Sequence, residues 1–416
     1  MRTEERVELT FRYERWRAVA AGVIETAAAT FLLLIVVRGF ADAGPISKAL
    51  VAGGGSLGFF LAPWVVSLVE ASRWPVSKAT SRLAALGALS FLMMALLPFL
   101  PVFVVGSVIA MACSSATVPL MTQIYQENYP DNQRGRKFSL TIMIRIAAAA
   151  IFSELGGWIL SGHIERFQWL LLVFAGAFAF SSYCMARCPS RPLHVSGGKH
   201  PYRALKFVIK DRVFRQTIIC WMFMGFATLM MAPLRVEYLA NPKYGWVLDG
   251  KPLTAATIAL LVGVIPNVAR LILSPVWGWL FDRMNFFVLR ITLNAGFALG
   301  IMAFFTSRSM TGLVIAAIVY GISNSGGDVA WSLWVTKFAP PDRVADYMSG
   351  HTFFTGVRGI FAPVVAFQLA SSNISLVTMG WISFGLILIG TGFLFPEIKM
   401  GHSRRAAVVL VEEPSE

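Results

Sequence analysis

From residue 18 to residue 395 the chain is a succession of apolar stretches, each near the length that crosses a bilayer as a helix. A hydrocarbon core about 30 Å thick takes roughly 20 residues at about 1.5 Å apiece. Such runs fall at about 18–39, 49–70, 83–100, 102–125, 139–162, 168–187, 214–235, 254–280, 287–306, 311–336, 348–370 and 374–395. Numbered 1 to 12, they predict an all-α membrane protein with twelve transmembrane helices. Composition supports this where it matters. Only 14% of the 416 residues are charged, against about 25% in a soluble domain, too few to cover a water-facing surface.

The formal charge of +14 is of the kind that nucleic-acid binders carry, but its distribution argues for orientation instead. An even number of spans puts both termini on one side. Twenty-six of the 36 Lys and Arg residues fall in segments on that side, seven on the other and three inside spans. By the positive-inside rule both ends face the cytoplasm, of a plasma or inner membrane. The N-terminal MRTEERVELTFRYERWR mixes acids and bases and lacks the order of a cleaved signal peptide. Three of the four cysteines sit inside apolar runs and Cys188 just past one, so four free thiols are expected. The Pro-, Gly- and base-rich segment 188–212 lies between six runs and six runs. It reads as a cytoplasmic linker between an N-terminal unit, 1–187, and a C-terminal unit, 213–416, that ends in a short tail.

The two halves repeat. Pro63 precedes Glu70 by seven residues and Pro275 precedes Asp282 by seven. Pro130-Asp131 has its counterpart in Pro341-Asp342, and Ser139 with Arg145 in Thr352 with Arg358. All three anchors lie 211 to 213 residues apart, at equivalent places of a six-plus-six division. At these residues the chain resembles the major facilitator superfamily, whose loops after helices 2 and 8 read Gly-x-x-x-Asp-Arg followed by bases. Gly278-Trp-Leu-Phe-Asp282-Arg283, with Arg290 beyond, carries the pattern in shortened spacing. The first half keeps Glu70 with Arg73, Lys78 and Arg82, but has Val66 in place of the glycine. Arg134-Gly-Arg136-Lys137 and Pro341-Asp-Arg343 look like that family's loops 4–5 and 10–11. The resemblance implies two pseudo-symmetric six-helix bundles rocking around a central site. Glu70, Arg73, Lys78, Gly278, Asp282, Arg283 and Arg290 then form a cytoplasmic gate, an acid at each helix C-terminus pairing with nearby bases; alternatively those charges only set orientation. The family's antiporter motif is incomplete, because Phe152-Ser153 stands where Gly-Pro would precede Gly156-Gly157.

Charges inside the spans single out candidate functional residues. A charge at mid-membrane costs at least about 2.5–3.5 kcal/mol, so each should have a partner or a wet cavity. Glu25, Arg145, Arg270, Asp328 and Arg358 fall near mid-membrane, and Glu154 near the outer interface. Asn324, Asp328 and Trp331 share one stripe of run 10; Asn267, Arg270 and Ser274 one of run 8; His351, Thr355 and Arg358 one of run 11. All six charges lie on helices that line the cavity in the superfamily. The reading assigns Glu25, Arg145, Asn267, Arg270, Asn324, Asp328, Trp331, Thr355 and Arg358 to a solute or proton pathway. Glu25, with no acid–base neighbour on its own helix, is the expected proton-coupling residue. Arg270 and Asp328 are expected to pair, either as part of that site or as static glue. His351 is expected at a solvated helix end, and Trp331 and Trp334 as stacking surfaces for a solute.

No phosphate loop, no His/Cys cluster with metal spacing and no nucleophile–base set is evident, so no enzyme, metal or cofactor is expected. The sequence reads as a secondary active transporter of a small solute by alternating access, proton-coupled, working as a monomer in lipid. Two alternatives stand beside it: an efflux pump of loose specificity, and a non-transporting sensor on the same fold.

Overall fold

The computed structural model describes residues 3–193, 205–337, 339 and 344–398. The middle of the expected linker, Pro341-Asp342-Arg343 and the tail from 399 onward lie outside these. Among the described residues twelve helices are long and apolar enough to cross a membrane, six of them in the first half: α1 (Glu4–Gly39), α2 (Pro45–Ser72), α3 (Val76–Leu96), α4 (Leu100–Asn128), α5 (Gln133–Leu160) and α6 (Ile164–Arg187). The second half supplies α7 (Arg212–Ala240), α8 (Ala255–Arg283), α9 (Phe286–Thr306), α10 (Met310–Ser332), α11 (Tyr347–Ser371) and α12 (Leu376–Glu397). Each corresponds to one expected run.

The helices overrun the apolar stretches at several ends, because helix formation needs hydrogen bonds and packing rather than hydrophobicity alone. α1 begins some fourteen residues before its apolar run and buries Thr10 and Glu14. Arg6 pairs there with Glu127, and Arg17 and Tyr125 with Glu14. Lys78 and Arg82 belong to the first turns of α3 rather than to a loop. The expected loop 134–137 is likewise helical, since helix resumes at Asp131 directly after Tyr129 and Pro130. Between α7 and α8 a two-residue hairpin pairs Val247 with Pro252. Its turn is Asp249-Gly250, with φ 52° and 75°, the positive-φ pair that a tight hairpin twist requires.

The pairing of helices within each half repeats with an offset of six. α1 packs on α5 and α6 as α7 packs on α11 and α12, and α2 on α4 as α8 on α10. α3 packs on α4 and α6 as α9 does on α10 and α12. These are the two pseudo-symmetric six-helix bundles. Between the bundles two seams dominate, α2 with α11 and α5 with α8, which the pseudo-symmetry exchanges. Small residues let the backbones approach. A Cβ on Gly356 would strike the backbone at Phe60, one on Gly359 would strike Ser56, and one on Gly157 would lie 2.7 Å from Ala259 Cβ.

The α5–α8 seam lies in the half of the molecule away from the termini. The α2–α11 seam runs further, with the Phe60 and Phe353 rings 5.3 Å apart and the Phe59 and Trp331 rings 5.8 Å apart. The far end is shut down to the level of the central charges.

Candidate functional site

At mid-depth four charged side chains meet across the two bundles. Glu25 on α1 accepts from Arg270 on α8 with one oxygen, and its other oxygen lies 3.1 Å from Arg145 Nε on α5. That second contact is an ion pair without hydrogen-bond alignment. Asp328 on α10 accepts from Arg270 Nε, and Asn267 Oδ1 is 3.3 Å from Arg270 Nη1. The expected pairing of Arg270 with Asp328 is thus present, and Glu25, which has no acid–base neighbour on its own helix, finds its bases on α8 and α5. Two acids and two bases neutralise one another, which is how such a group lowers the cost of being desolvated.

The four are unequal in exposure. Arg270 keeps 5% of its side chain accessible, whereas Glu25 keeps 28%, Asp328 34% and Arg145 36%. Arg270 is therefore the fixed anchor and the other three face solvent-reachable space. Its backbone is held as well: Ser274 Oγ and Ser325 Oγ both donate to the Arg270 carbonyl, at 2.6 and 3.0 Å. Immediately beyond Glu25 the helix widens into a π turn at Ala27–Phe31, and α8 has a matching π turn at Leu260–Val264 before Arg270. Single π turns often mark functional positions in helices. The two touch, and near Gly263 the hydroxyls of Thr30 and Ser153 are buried without partners. The sequence reading missed these hydroxyls, since Ser and Thr are common in spans and neither carries a charge.

The remaining candidates divide. Asn324 and Trp331 are half-buried on α10, and Trp331 bridges Phe59 of α2 and His351 of α11. Arg358 and Thr355, expected along the cavity, instead point into the C-terminal bundle. Arg358 is 4% exposed and donates to the Trp221 carbonyl at 2.8 Å and to Thr355 Oγ1 at 3.1 Å. The repeat therefore equates Arg145 with Arg358, but their surroundings differ. The angular drift of a helix allows a stripe to be read from sequence without showing which neighbour it faces. His351, expected to be solvated, is wholly buried among Trp221, Trp331 and Trp334. Trp334 is wholly buried too and offers no face to a solute.

Among the gate candidates, Arg290 is a correction. It lies inside α9, wholly buried, its guanidinium 3.6 Å from the Trp221 ring centre and one nitrogen 3.3 Å from Met224 Sδ. The others stay at the end where the termini lie. Glu70 is half-buried in the last turn of α2, and Arg73 (φ 53°) closes that helix in the left-handed region. Lys78 and Arg82 sit over the Trp74 ring, at 5.6 and 3.8 Å. On α8, Asp282 and Arg283 are exposed and Arg283 lies 4.4 Å from the Trp279 ring. Gly278 has open space beside it.

The opposite end carries contacts that the sequence reading did not anticipate. Lys48 at the start of α2 pairs with Glu237 near the end of α7 at 2.7 Å, the two side chains 14% and 6% exposed. Asn241 donates to the same carboxylate at 2.7 Å. Arg38 on α1 donates to the carbonyls of Leu253 and Ala240 at 2.7 and 3.1 Å. These bonds join the bundles where they are shut. Run 7 was expected to end at 235, so Glu237 passed as a loop acid.

The Major Facilitator Superfamily profile matches residues 18–363. No curated protein sequence matches significantly. Solved structures do. The nucleoside transporter NupG superposes with a TM-score of 0.72 at 13% identity, covering 94% of this chain and 99% of its own. A D-xylose-proton symporter does so with 0.69 at 13%, covering 94% and 96%. A POT family transporter in complex with a thioalcohol-conjugated peptide gives the same four figures. At such identities the likeness speaks for the fold.

Proposed function

The chain belongs to the major facilitator superfamily, a family of transporters rather than enzymes, and from that premise we propose that it is a proton-coupled secondary transporter of a small solute. Glu25 is its coupling residue. The observation that carries this is the shared carboxylate: Glu25 of one bundle is held by Arg270 of the other and lies 3.1 Å from Arg145 of its own. Rocking the bundles apart at the far end separates Glu25 from Arg270 while leaving Arg270 with Asp328. A proton on Glu25 weakens the first bond and so favours that separation. Partial exposure of Glu25, Asp328 and Arg145 gives solute and protons access to the same place. Asn267, Asn324 and Trp331 complete the pathway. Thr355, Arg358 and Arg290 fall outside it, because they are buried within their own bundle.

In this scheme the moving units are 1–187 and 213–416, joined by 188–212, and one copy suffices. The termini face the cytoplasm of the cell membrane, as the distribution of bases supports. The conformation is then open inward, with Glu70, Arg73, Lys78, Gly278, Asp282 and Arg283 at the open mouth and Lys48–Glu237 closing the outside. Solute identity calls for a panel, since the structural neighbours include a nucleoside transporter, a D-xylose-proton symporter and a transporter in complex with a conjugated peptide. In proteoliposomes, a solute found by thermal stabilisation of the purified protein is driven uphill by a proton gradient. Glu25→Gln should abolish uphill accumulation and leave counterflow, which needs no net proton movement. Equal loss of both would reject Glu25 as the coupling residue.

A further inference from the structure

Away from the central charges, the C-terminal bundle encloses three guanidiniums that meet no carboxylate among the described residues: Arg235, which lies over the Tyr320 ring, and a neighbouring pair. Arg290 on α9 and Arg358 on α11 are 0% and 4% exposed. Both approach the indole of Trp221 on α7, at 3.6 and 5.6 Å from its ring centre. Arg358 lies across Gly225, where any side chain would collide with it. The backbone of α7 thus leaves a slot for this one residue. Charge–ring attraction offsets part of the burial cost, but an arginine stays charged in proteins and an unpaired buried charge is strongly unfavourable.

Hydrogen bonding falls short as well. Arg290 reaches only weak sulfur acceptors, Met224 Sδ at 3.3 Å and the Cys220 thiol, leaving its Nε and Nη1 without partners. Arg358 Nε, Trp221 Nε1 and both ring nitrogens of His351 are also buried without partners. So many unmet polar groups around one indole, most of them donors, are unusual, because buried polar groups are nearly always satisfied. A partner that suits these groups is negative, accepts several hydrogen bonds and is small. The surroundings are closely packed rings, the His351 ring centre lying 5.2 Å from those of both Trp221 and Trp334, which favours a small occupant. On the cavity side Trp331 covers His351.

We propose that these guanidiniums bind a small monovalent anion of halide size, seated between Arg290 and Arg358 and stabilising the C-terminal bundle independently of the transport site. The purified full-length protein in detergent provides the test. At constant ionic strength its melting temperature should rise saturably when gluconate is replaced by chloride or bromide, as for a ligand that binds only the folded state. Arg290→Gln and Arg358→Gln should each lose that anion-dependent rise. Because either variant could fail to fold, wild-type crystals grown in bromide supply a second measurement. They should show an anomalous peak within hydrogen-bonding reach of both guanidiniums. Equal melting in gluconate and chloride, or bromide found only elsewhere on the protein, overturns the proposal and leaves water as the filler. Survival of the effect in Glu25→Gln separates this anion site from the transport site.

Discussion

Among the residues, Arg270 carries the most. It is the least exposed member of the four-charge group and touches both acids. Removing it leaves Asp328 without its base and Glu25 with Arg145 alone, whereas removing Asp328 leaves Arg270 bonded to Glu25. Breaking a fully buried pair costs about 3–5 kcal/mol. The value here should be smaller because the acids are about a third exposed and partly screened. The expected order of destabilisation is therefore Arg270→Gln first and Asp328→Asn second, measured as melting temperature in detergent. The double variant should melt above Arg270→Gln, since Glu25 and Arg145 remain as a balanced pair. A double variant melting below both single ones would mean that Arg270 is held by something other than its charges. In transport assays, regained folding without regained flux marks the pair as part of the site; regained flux marks it as glue.

Among the elements, α5 and α8 set the far seam. Gly157 meets Ala259, Ala256 and the Ala255 carbonyl with no space for a side chain. Below that contact Thr30 is wholly buried. Gly157→Leu overpacks the closed seam, at about 1–3 kcal/mol for extra methylenes in a packed interior. A shift of that size changes the ratio of closed to open molecules at least about fivefold. A cysteine placed at Thr30 should then be labelled from the far side at least about fivefold faster in the Gly157→Leu background. Unchanged labelling would show that the seam relaxes without opening. The two π turns belong to this scale too: each sits between the seam and a central charge, where a local widening of the helix re-aims the side chains of the next turn.

For the molecule as a whole, the proposed orientation has a direct check. Native thiols give little background, since all four cysteines are free and buried. Outside the spans, burial and the Glu14 carboxylate push the Cys188 thiol up to about 12, so at neutral pH it stays protonated and unreactive. Ser196→Cys and Lys251→Cys should be labelled by an impermeant maleimide from opposite faces of the membrane, the first only after permeabilising cells. Labelling of both from one face would reject the twelve-span topology. Access to Ser196→Cys from outside in intact cells, with Lys251→Cys protected, would invert the orientation.

The number of spans and the six-plus-six repeat come from sequence alone, because bilayer thickness sets helix length and duplicated anchors keep their spacing. So does the list of charges worth explaining, since each apolar run makes its exceptions conspicuous. Asp328 and Arg270 could be paired on paper from depth and face. Sequence could not decide which way each polar stripe turns. Arg145 and Arg358 are equivalent in the repeat, but one joins Glu25 between the bundles and the other lies buried against Trp221. Arg290 reads as a gate base because it follows Asp282-Arg283 as the family's loop pattern would have a base do; α9 starts at Phe286 and turns that side chain into the bundle. Lys48 and Glu237 lie 189 residues apart and meet only because two bundles close at one end. Local composition specifies helices and their number, while partners depend on rotation about each axis and on how the halves lean, which only tertiary packing sets.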